Sequence, residues 1–372
     1  MIIQKRNICL VFVLFIYCLS QVAYSQTASA TVGTKSIGKA DGVAIWLHPT
    51  NPSQSIIIGA DPRKGLGTFN LDGSLIELIN FGVSGAGEVD VRYNFPLGGN
   101  SVSLIASAND KKNEMRFFTV DNKTRLLKEI TGNKINLGIN AYGSCLYHSK
   151  KTNKFYSFIT SREGLMEQWE IFDNGNGKVD GKLVRQLNVM PEPNDTISPR
   201  VEACVSDDEF ACFYVCQEQE CLIWKYGAEP EDGANRKLVD NAKIVDDDNV
   251  EGIAIYHIGQ KEGYLIASVQ GSWKYKVYDR NDNKYLGVFD IMKADSSGIV
   301  EAHDCIEVTN ISLGSEFPKG LMVTQNSNSD CGAHWQLVPW QSIANKLGLK
   351  VDLNYDSRID DRKYDKTKKL KK

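Results

Sequence analysis

The residues best suited to chemistry in this chain of 372 residues are carboxylates set in or beside short apolar runs. They are Asp41 before Val-Ala-Ile-Trp46, Asp90 in Val-Asp-Val-Arg92, Glu202, Glu218, Glu251 before Gly-Ile-Ala-Ile, and Glu301, Asp304 and Glu307 around Ile306. If strand ends bring such groups to one end of a channel, they repel one another unless a cation neutralises them. Calcium suits that position, because it takes roughly six to eight hard oxygen ligands in loose geometry. If each instead lies on a solvated loop or beside a Lys or Arg, the same residues are ordinary surface charge. Both readings fit the pattern.

Other chemistry is thinly represented. There is no Walker loop, Gly-x-Ser-x-Gly elbow or His-Glu-x-x-His helix, and His48, His148, His257, His303 and His334 are scattered. His303 and Asp304 are adjacent, but neighbouring strand residues point to opposite faces and seldom act as base and orienter. The glycines of the segment 82–87 read as a β-turn, since no strand precedes and no helix follows them as a dinucleotide loop requires. Cys212, Cys216 and Cys221 fall in two strand-like runs around a polar turn, which predicts buried small residues with one hairpin disulfide in preference to zinc.

The elements that must position these residues are short and extended. Apolar runs such as 43–47, 55–58, 66–70, 102–106, 155–159, 213–215, 253–256, 264–269, 275–278 and 321–323 are rich in Val, Ile, Tyr and Phe. Gly, Asn, Asp or Pro bounds them. The spacing predicts an all-β fold, with one short helix over Trp340–Leu347 ending at Gly348. Strands of this density over about 310 residues exceed what a sandwich holds, and six blades of about 50 residues fit a β-propeller. No linker-like break divides the run, so a single propeller domain is expected over residues 29–351.

The flanks differ from that domain. Lys5 and Arg6 precede an apolar run from Ile8 to Leu19 and then a small, polar stretch, which predicts a secretory signal over residues 1–26 and an exported protein, secreted or periplasmic. The run falls short of the roughly 20 residues that span a bilayer, so no stable membrane insertion is expected. Residues 352–372 carry eight Lys/Arg and five Asp/Glu with little apolar content and read as a charged, solvated tail. Seven cysteines lie beyond the leader, an odd number that leaves at least one thiol unpaired within the chain. The whole chain has a net charge of −3, yet without signal and tail 33 basic side chains face 41 acidic ones, a net of −8. An acidic domain without a basic stripe excludes a nucleic-acid binder.

Longer segments carry a resemblance. The stretches 41–52, 89–97, 142–149, 162–169, 223–230, 250–256, 320–325 and 338–344 resemble the β-propeller phytases, in that family's order and nearly its spacing, from about residue 36 to 349. The resemblance implies a secreted six-bladed propeller, a 3-phytase-type phosphoric monoester hydrolase that uses several calcium ions to cleave inositol hexakisphosphate as a monomer. It places Asp41, Glu202, Glu218, Asn249, Glu251 and Asp304 at calcium-ligand positions, with Tyr142, Glu202 and Glu251 in catalysis and Arg162 and Lys111 on substrate phosphate. The chain departs from the pattern at four places. Gly42 stands where the second of two paired aspartates belongs, Asn249 replaces an aspartate, another aspartate falls near Gly298, and a phosphate-binding arginine falls near Asp110. Glu301, Asp247 or Asp248 could make up for lost carboxylates. The departures leave two alternatives: a propeller that binds calcium or polyphosphate without turnover, and one that presents a protein-interaction surface.

Overall fold

The computed structural model describes residues 24–359 except 34–35, 83–84, 110, 134, 190–197, 302–303, 328–332, 352–354 and 357. Six antiparallel sheets stand in a ring as the blades of a β-propeller. In chain order their inner strands are Val43–Trp46, Val89–Leu97, Ala141–His148, Val201–Asp207, Val250–Gly259 and Ile306–Thr309. Each is followed outward by the next strands of its blade. The second strands, such as Ile56–Asp61, Phe155–Ser161 and Leu321–Asn326, are buried along their whole length because both sheet faces pack on neighbouring blades. Outermost strands such as Leu75–Asn80 are largely exposed. That gradient explains why the apolar runs legible in sequence are mostly the inner and second strands.

The hydrophobic core is divided into six clusters, each lying between two consecutive blades. Ala44, Ile58 and Leu66 of blade 1 meet Val89, Ile105 and Phe118 of blade 2, for example. Val43, Ile57 and Phe69 of blade 1 meet Leu321, Val323 and Trp335 of blade 6, which closes the ring. The N-terminal segment secures this closure. Ala30–Val32 pairs antiparallel with His334–Pro339 as the outer strand of blade 6, and Tyr24–Thr27 pairs parallel with Tyr285–Met292 as a fifth strand of blade 5. The first described strand thus begins at Tyr24, inside the last three residues of the expected leader; residues 1–23 lie outside the described residues.

The helix Trp340–Leu347 forms where expected and ends at Gly348, whose left-handed backbone (φ 65°) stops it. Trp340 stacks on Tyr256 with ring centroids 4.2 Å apart, so the helix covers the core between blades 5 and 6. Cys145, Cys204, Cys212, Cys216, Cys221 and Cys305 are buried free thiols, and no disulfide closes the hairpin at Cys212, Cys216 and Cys221. Cys331 lies outside the described residues.

Because strands alternate in direction, inner-strand starts and the turns between second and third strands share one end of the channel. The turns after the inner strands share the other. At that second end Arg280 of blade 5 is fully buried and pairs with Asp207 and Glu209 of blade 4 at 2.6 and 2.7 Å. Removing one partner of such a buried network strands the other charges in a low dielectric. Arg280→Met should therefore destabilise the fold by about 3–5 kcal/mol, read as a fall in the denaturation midpoint; an unchanged midpoint would show that this clasp between blades carries little stability.

Candidate metal and phosphate site at the channel mouth

Five expected site residues occupy one repeated position, at or just before the start of an inner strand and followed by a small residue. They are Asp41-Gly42, Tyr142-Gly143, Glu202-Ala203, Glu251-Gly252 and Asp304-Cys305. The register shifts between Ala141 and Ser144, between Val201 and Cys204, and between Val250 and Ile253, so a β-bulge lies at the site residue in three consecutive blades. A bulge re-aims its side chains, here towards the mouth. The small residue is needed because blades converge there: a Cβ on Gly143 would lie 1.5 Å from the Glu202 carbonyl oxygen.

At the centre of the mouth Glu202, Glu218 and Glu251, all buried, each offer a carboxylate oxygen, and these oxygens lie within 4.8 Å of one another. Glu218 comes from the turn after the second strand of blade 4 and is fixed by backbone hydrogen bonds: its N–H donates to the Arg200 carbonyl, and its own carbonyl accepts from Val250. Burial and then the charges of Glu251, Asp304, Glu218 and Asp41 hold the Glu202 carboxyl well above the usual range. Burial and then Asp304 push Glu251 upward in the same way, and Glu251 shares a hydrogen bond with Asp304.

The rim orients this cluster. Asp304 accepts from the Gln270 and Gln325 side-chain amides, the latter at 3.1 Å, while its N–H donates to Gln325 Oε1 at 2.6 Å. The Asp41 carbonyl accepts from Cys305 Sγ at 2.6 Å and Trp335 Nε1 at 3.0 Å, which pins the chain where Asp41 enters the mouth. The Asn249 amide donates to Glu251, so this neutral replacement is held against the cluster. Tyr142 donates its hydroxyl to Glu218 Oε2 at 3.2 Å, and burial together with Glu202 and Glu218 raises its pKa, keeping it a protonated donor. The exposed Arg162 guanidinium stacks 4.1 Å from the Tyr142 ring centroid.

Eight of the expected residues therefore converge: Asp41, Tyr142, Arg162, Glu202, Glu218, Asn249, Glu251 and Asp304. Lys111 does not reach the cluster; it stands on the neighbouring turn of blade 2 with Nζ 3.2 Å from the Pro62 carbonyl oxygen. Asp110 lies outside the described residues. Gly298 has φ 154° with open space around it. Of the substitutes, Asp248 is committed to the Ile244 and Val245 amides at 2.6 and 2.7 Å, and Glu301 sits 4.0 Å from Lys293.

Sequence reasoning missed two contributors. Arg200 lies 3.4 Å from Glu218 Oε1 and offsets part of the acidic charge. Glu88, just before the inner strand of blade 2, has its carboxyl raised by burial and then by Asp41 and Asp304, and so faces the same mouth. The acid-then-small-residue repeat does not mark them, since Val89 follows Glu88 and Val201 follows Arg200; the one local signal is that Glu88 directly precedes an inner strand. Below the mouth the channel encloses a cavity of about 170 Å³ lined by Asp90, Arg92, Ser144, His148, His257 and Glu307, among others. There Asp90 is bound by both Arg92 Nη1 contacts at 3.0 Å, and Glu307 is pushed up to about 8 by burial and Asp90.

Clustered hard oxygens flanked by the Arg162 and Arg200 guanidiniums make this a propeller of the kind that can hold divalent calcium and an anionic ligand at its mouth. The chain belongs to the phytase family, whose model matches residues 18–367. It is 35% identical over 346 residues to the 3-phytase of Bacillus subtilis (strain 168), covering 89% of this chain and 86% of that one. Among solved structures, it superposes on regucalcin, a calcium-binding protein from Agrobacterium tumefaciens strain C58, with a TM-score of 0.52. That match has 9% identity, spans 90% of this chain and 98% of the other, and is a likeness of fold alone.

The crowded carboxyls set a pH dependence. A carboxyl raised in the native state above its ordinary 4.5 favours folding while protonated, and that stabilisation is lost as pH rises from 4.5 towards the native value. With a chelator present, the thermal midpoint should fall between about pH 5 and about pH 8, and Glu202→Gln should make the fall shallower. A wild-type midpoint that is flat or rises over that range would contradict the electrostatics of the cluster.

Proposed function

We propose that the protein is an exported, calcium-dependent phosphomonoesterase that hydrolyses phytate. The observation that carries this reading is the Glu202, Glu218 and Glu251 cluster set beside Tyr142 and Arg162 in a chain of the phytase family. The donor set fits calcium: the clustered atoms are all carboxylate oxygens, and Asp41, Asp304 and the Asn249 side chain stand beside them. Bound calcium would supply the positive charge that lets a polyphosphate approach an acidic mouth, and would activate water for in-line attack on phosphorus.

The residues divide the remaining tasks. Glu202, Glu218, Glu251 and Asp304 would hold calcium, with Gln270 and Gln325 fixing the Asp304 carboxylate. Arg162 is exposed and rests on a ring, so it can swing onto a phosphate and grip two of its oxygens at once. Tyr142, still protonated at neutral pH, can turn its hydroxyl from Glu218 to a phosphate oxygen as charge develops there. Lys111 and the neighbouring Arg63 and Lys64 add cations on turns at the same end, where further phosphates of a multiply charged substrate would lie. The expected leader agrees with export, and acting as a monomer is consistent with a mouth built within one chain.

Asn249 favours a second reading, in which the mouth binds calcium and polyphosphate without turnover, because a neutral amide stands against Glu251. Phosphate release from inositol hexakisphosphate, with calcium and then with a chelator, separates the two. No calcium-dependent release between about pH 5 and about pH 9 would overturn the enzymatic reading; binding without release would establish the second. Glu202→Gln and Glu251→Gln should each lower the rate about 100-fold, with partial recovery at high calcium. Arg162→Ala should raise KM about 10-fold with a smaller change in kcat, the loss of one charge-assisted contact.

A further inference from the structure

We propose that Glu88 is a calcium ligand of the mouth, supplying from blade 2 the carboxylate that blade 1 lacks at Gly42. The proposal rests on the calcium reading above and extends it to a residue outside the expected set.

The two blades approach the mouth with the same backbone pattern. In blade 1 the Asp41 N–H donates to the Ala60 carbonyl at 3.0 Å, and the Gly42 carbonyl accepts from the Ala60 N–H at 2.8 Å. In blade 2 the Gly87 N–H donates to the Ala108 carbonyl at 3.1 Å, and the Glu88 carbonyl accepts from the Ala108 N–H at 3.2 Å. Asp41 therefore corresponds to Gly87, and Gly42 to Glu88. Blade 1 carries acid then glycine; blade 2 carries glycine then acid.

These two segments also touch. The Gly42 N–H donates to the Gly87 carbonyl at 3.1 Å. A Cβ on Gly42 would lie 2.6 Å from Glu88 Oε2, 2.7 Å from Glu88 Cα and 2.7 Å from the Gly87 oxygen. Real side chains do not approach so closely, so the Glu88 carboxylate occupies the space that a side chain at position 42 would need. It does so beside Asp41 and Asp304, whose charges act on it. The Asp304 carboxylate is itself held by neutral amides, whereas Asp90, two residues beyond Glu88, is already bound by Arg92. A divalent ion with oxygen ligands would relieve the repulsion. The glycine at position 42 thus moves a carboxylate to the neighbouring blade instead of deleting it.

Calorimetric titration with calcium chloride alone tests this, on wild type, Glu88→Gln, Gly42→Ala and the double variant, with the chelator-treated thermal midpoint recorded for each. Glu88→Gln keeps the shape of the side chain and should retain or raise that midpoint, since a repelling charge is gone. It should weaken calcium binding at least about 10-fold or remove one ion from the stoichiometry. Gly42→Ala, which displaces the carboxylate without changing charge, should weaken calcium binding in the wild-type background but add little in Glu88→Gln, the signature of one shared interaction. If wild type binds calcium and Glu88→Gln binds it identically, the role given to Glu88 is wrong while the calcium reading stands. If wild type binds none, the calcium reading itself fails and Glu88 falls with it.

Discussion

Like charges held within 4.8 Å of one another are the constraint on which the rest of this molecule depends. Carboxylates from different blades meet at one end of a channel, and their repulsion is opposed by the packing that closes the ring. The charged form of such a cluster costs several kcal/mol per buried ion unless it is compensated. The protein keeps it in place with neutral donors instead of direct cation partners: Gln270 and Gln325 on Asp304, Asn249 on Glu251, Tyr142 on Glu218. Only Arg200, among the described contacts, brings a cation directly to the three clustered glutamates. A site neutralised by its own arginines would leave no charge for a cation to offset. One left under-compensated does.

Closing six blades into a ring brings the inner-strand starts so near that backbone meets backbone. Asp41, Tyr142, Glu202, Glu251 and Asp304 are therefore each followed by Gly, Ala or Cys, and a bulge turns the side chain inward in three blades. The same geometry links the identity of a residue in one blade to space in the next, as Gly42 and Glu88 illustrate. A change of carboxylate position in such a ring is thus a paired event.

The far end of the channel is organised differently. Its charges are paired within the protein, through Arg280 with Asp207 and Glu209, and Arg92 with Asp90 and Asp208. Described residues near the start of the charged C-terminal segment also pack there. The Tyr355 carbonyl accepts from Asn310, the Arg358 carbonyl accepts from Asn94, and the Arg358 side chain donates to the carbonyls of Leu47 and His48. The start of the basic segment therefore spans inner-strand ends of blades 1, 2 and 6 opposite the acidic mouth. The two ends of one channel carry opposite solutions to burying charge, paired below and open to an added cation above.

Much of this was legible from residue types. Alternating short apolar runs bounded by turn formers identify a propeller because each second strand is buried on both faces, and the helix at Trp340 was marked by its flanking Pro339 and Gly348. Carboxylates beside strands were recognisable, and the order of the phytase-like segments named most of those that converge. What sequence could not express was adjacency between blades. Residues 202, 218 and 251 are close because the ring folds three separate elements to one point, and nothing in linear spacing distinguishes Glu88, which is brought beside Asp41 and Asp304, from Lys111, which bonds the Pro62 carbonyl instead. The sequence by itself determined the strands, the chemistry available and the acidic excess. The tertiary structure decided which charges share a site, because their repulsion depends on distances that exist only once the ring is closed.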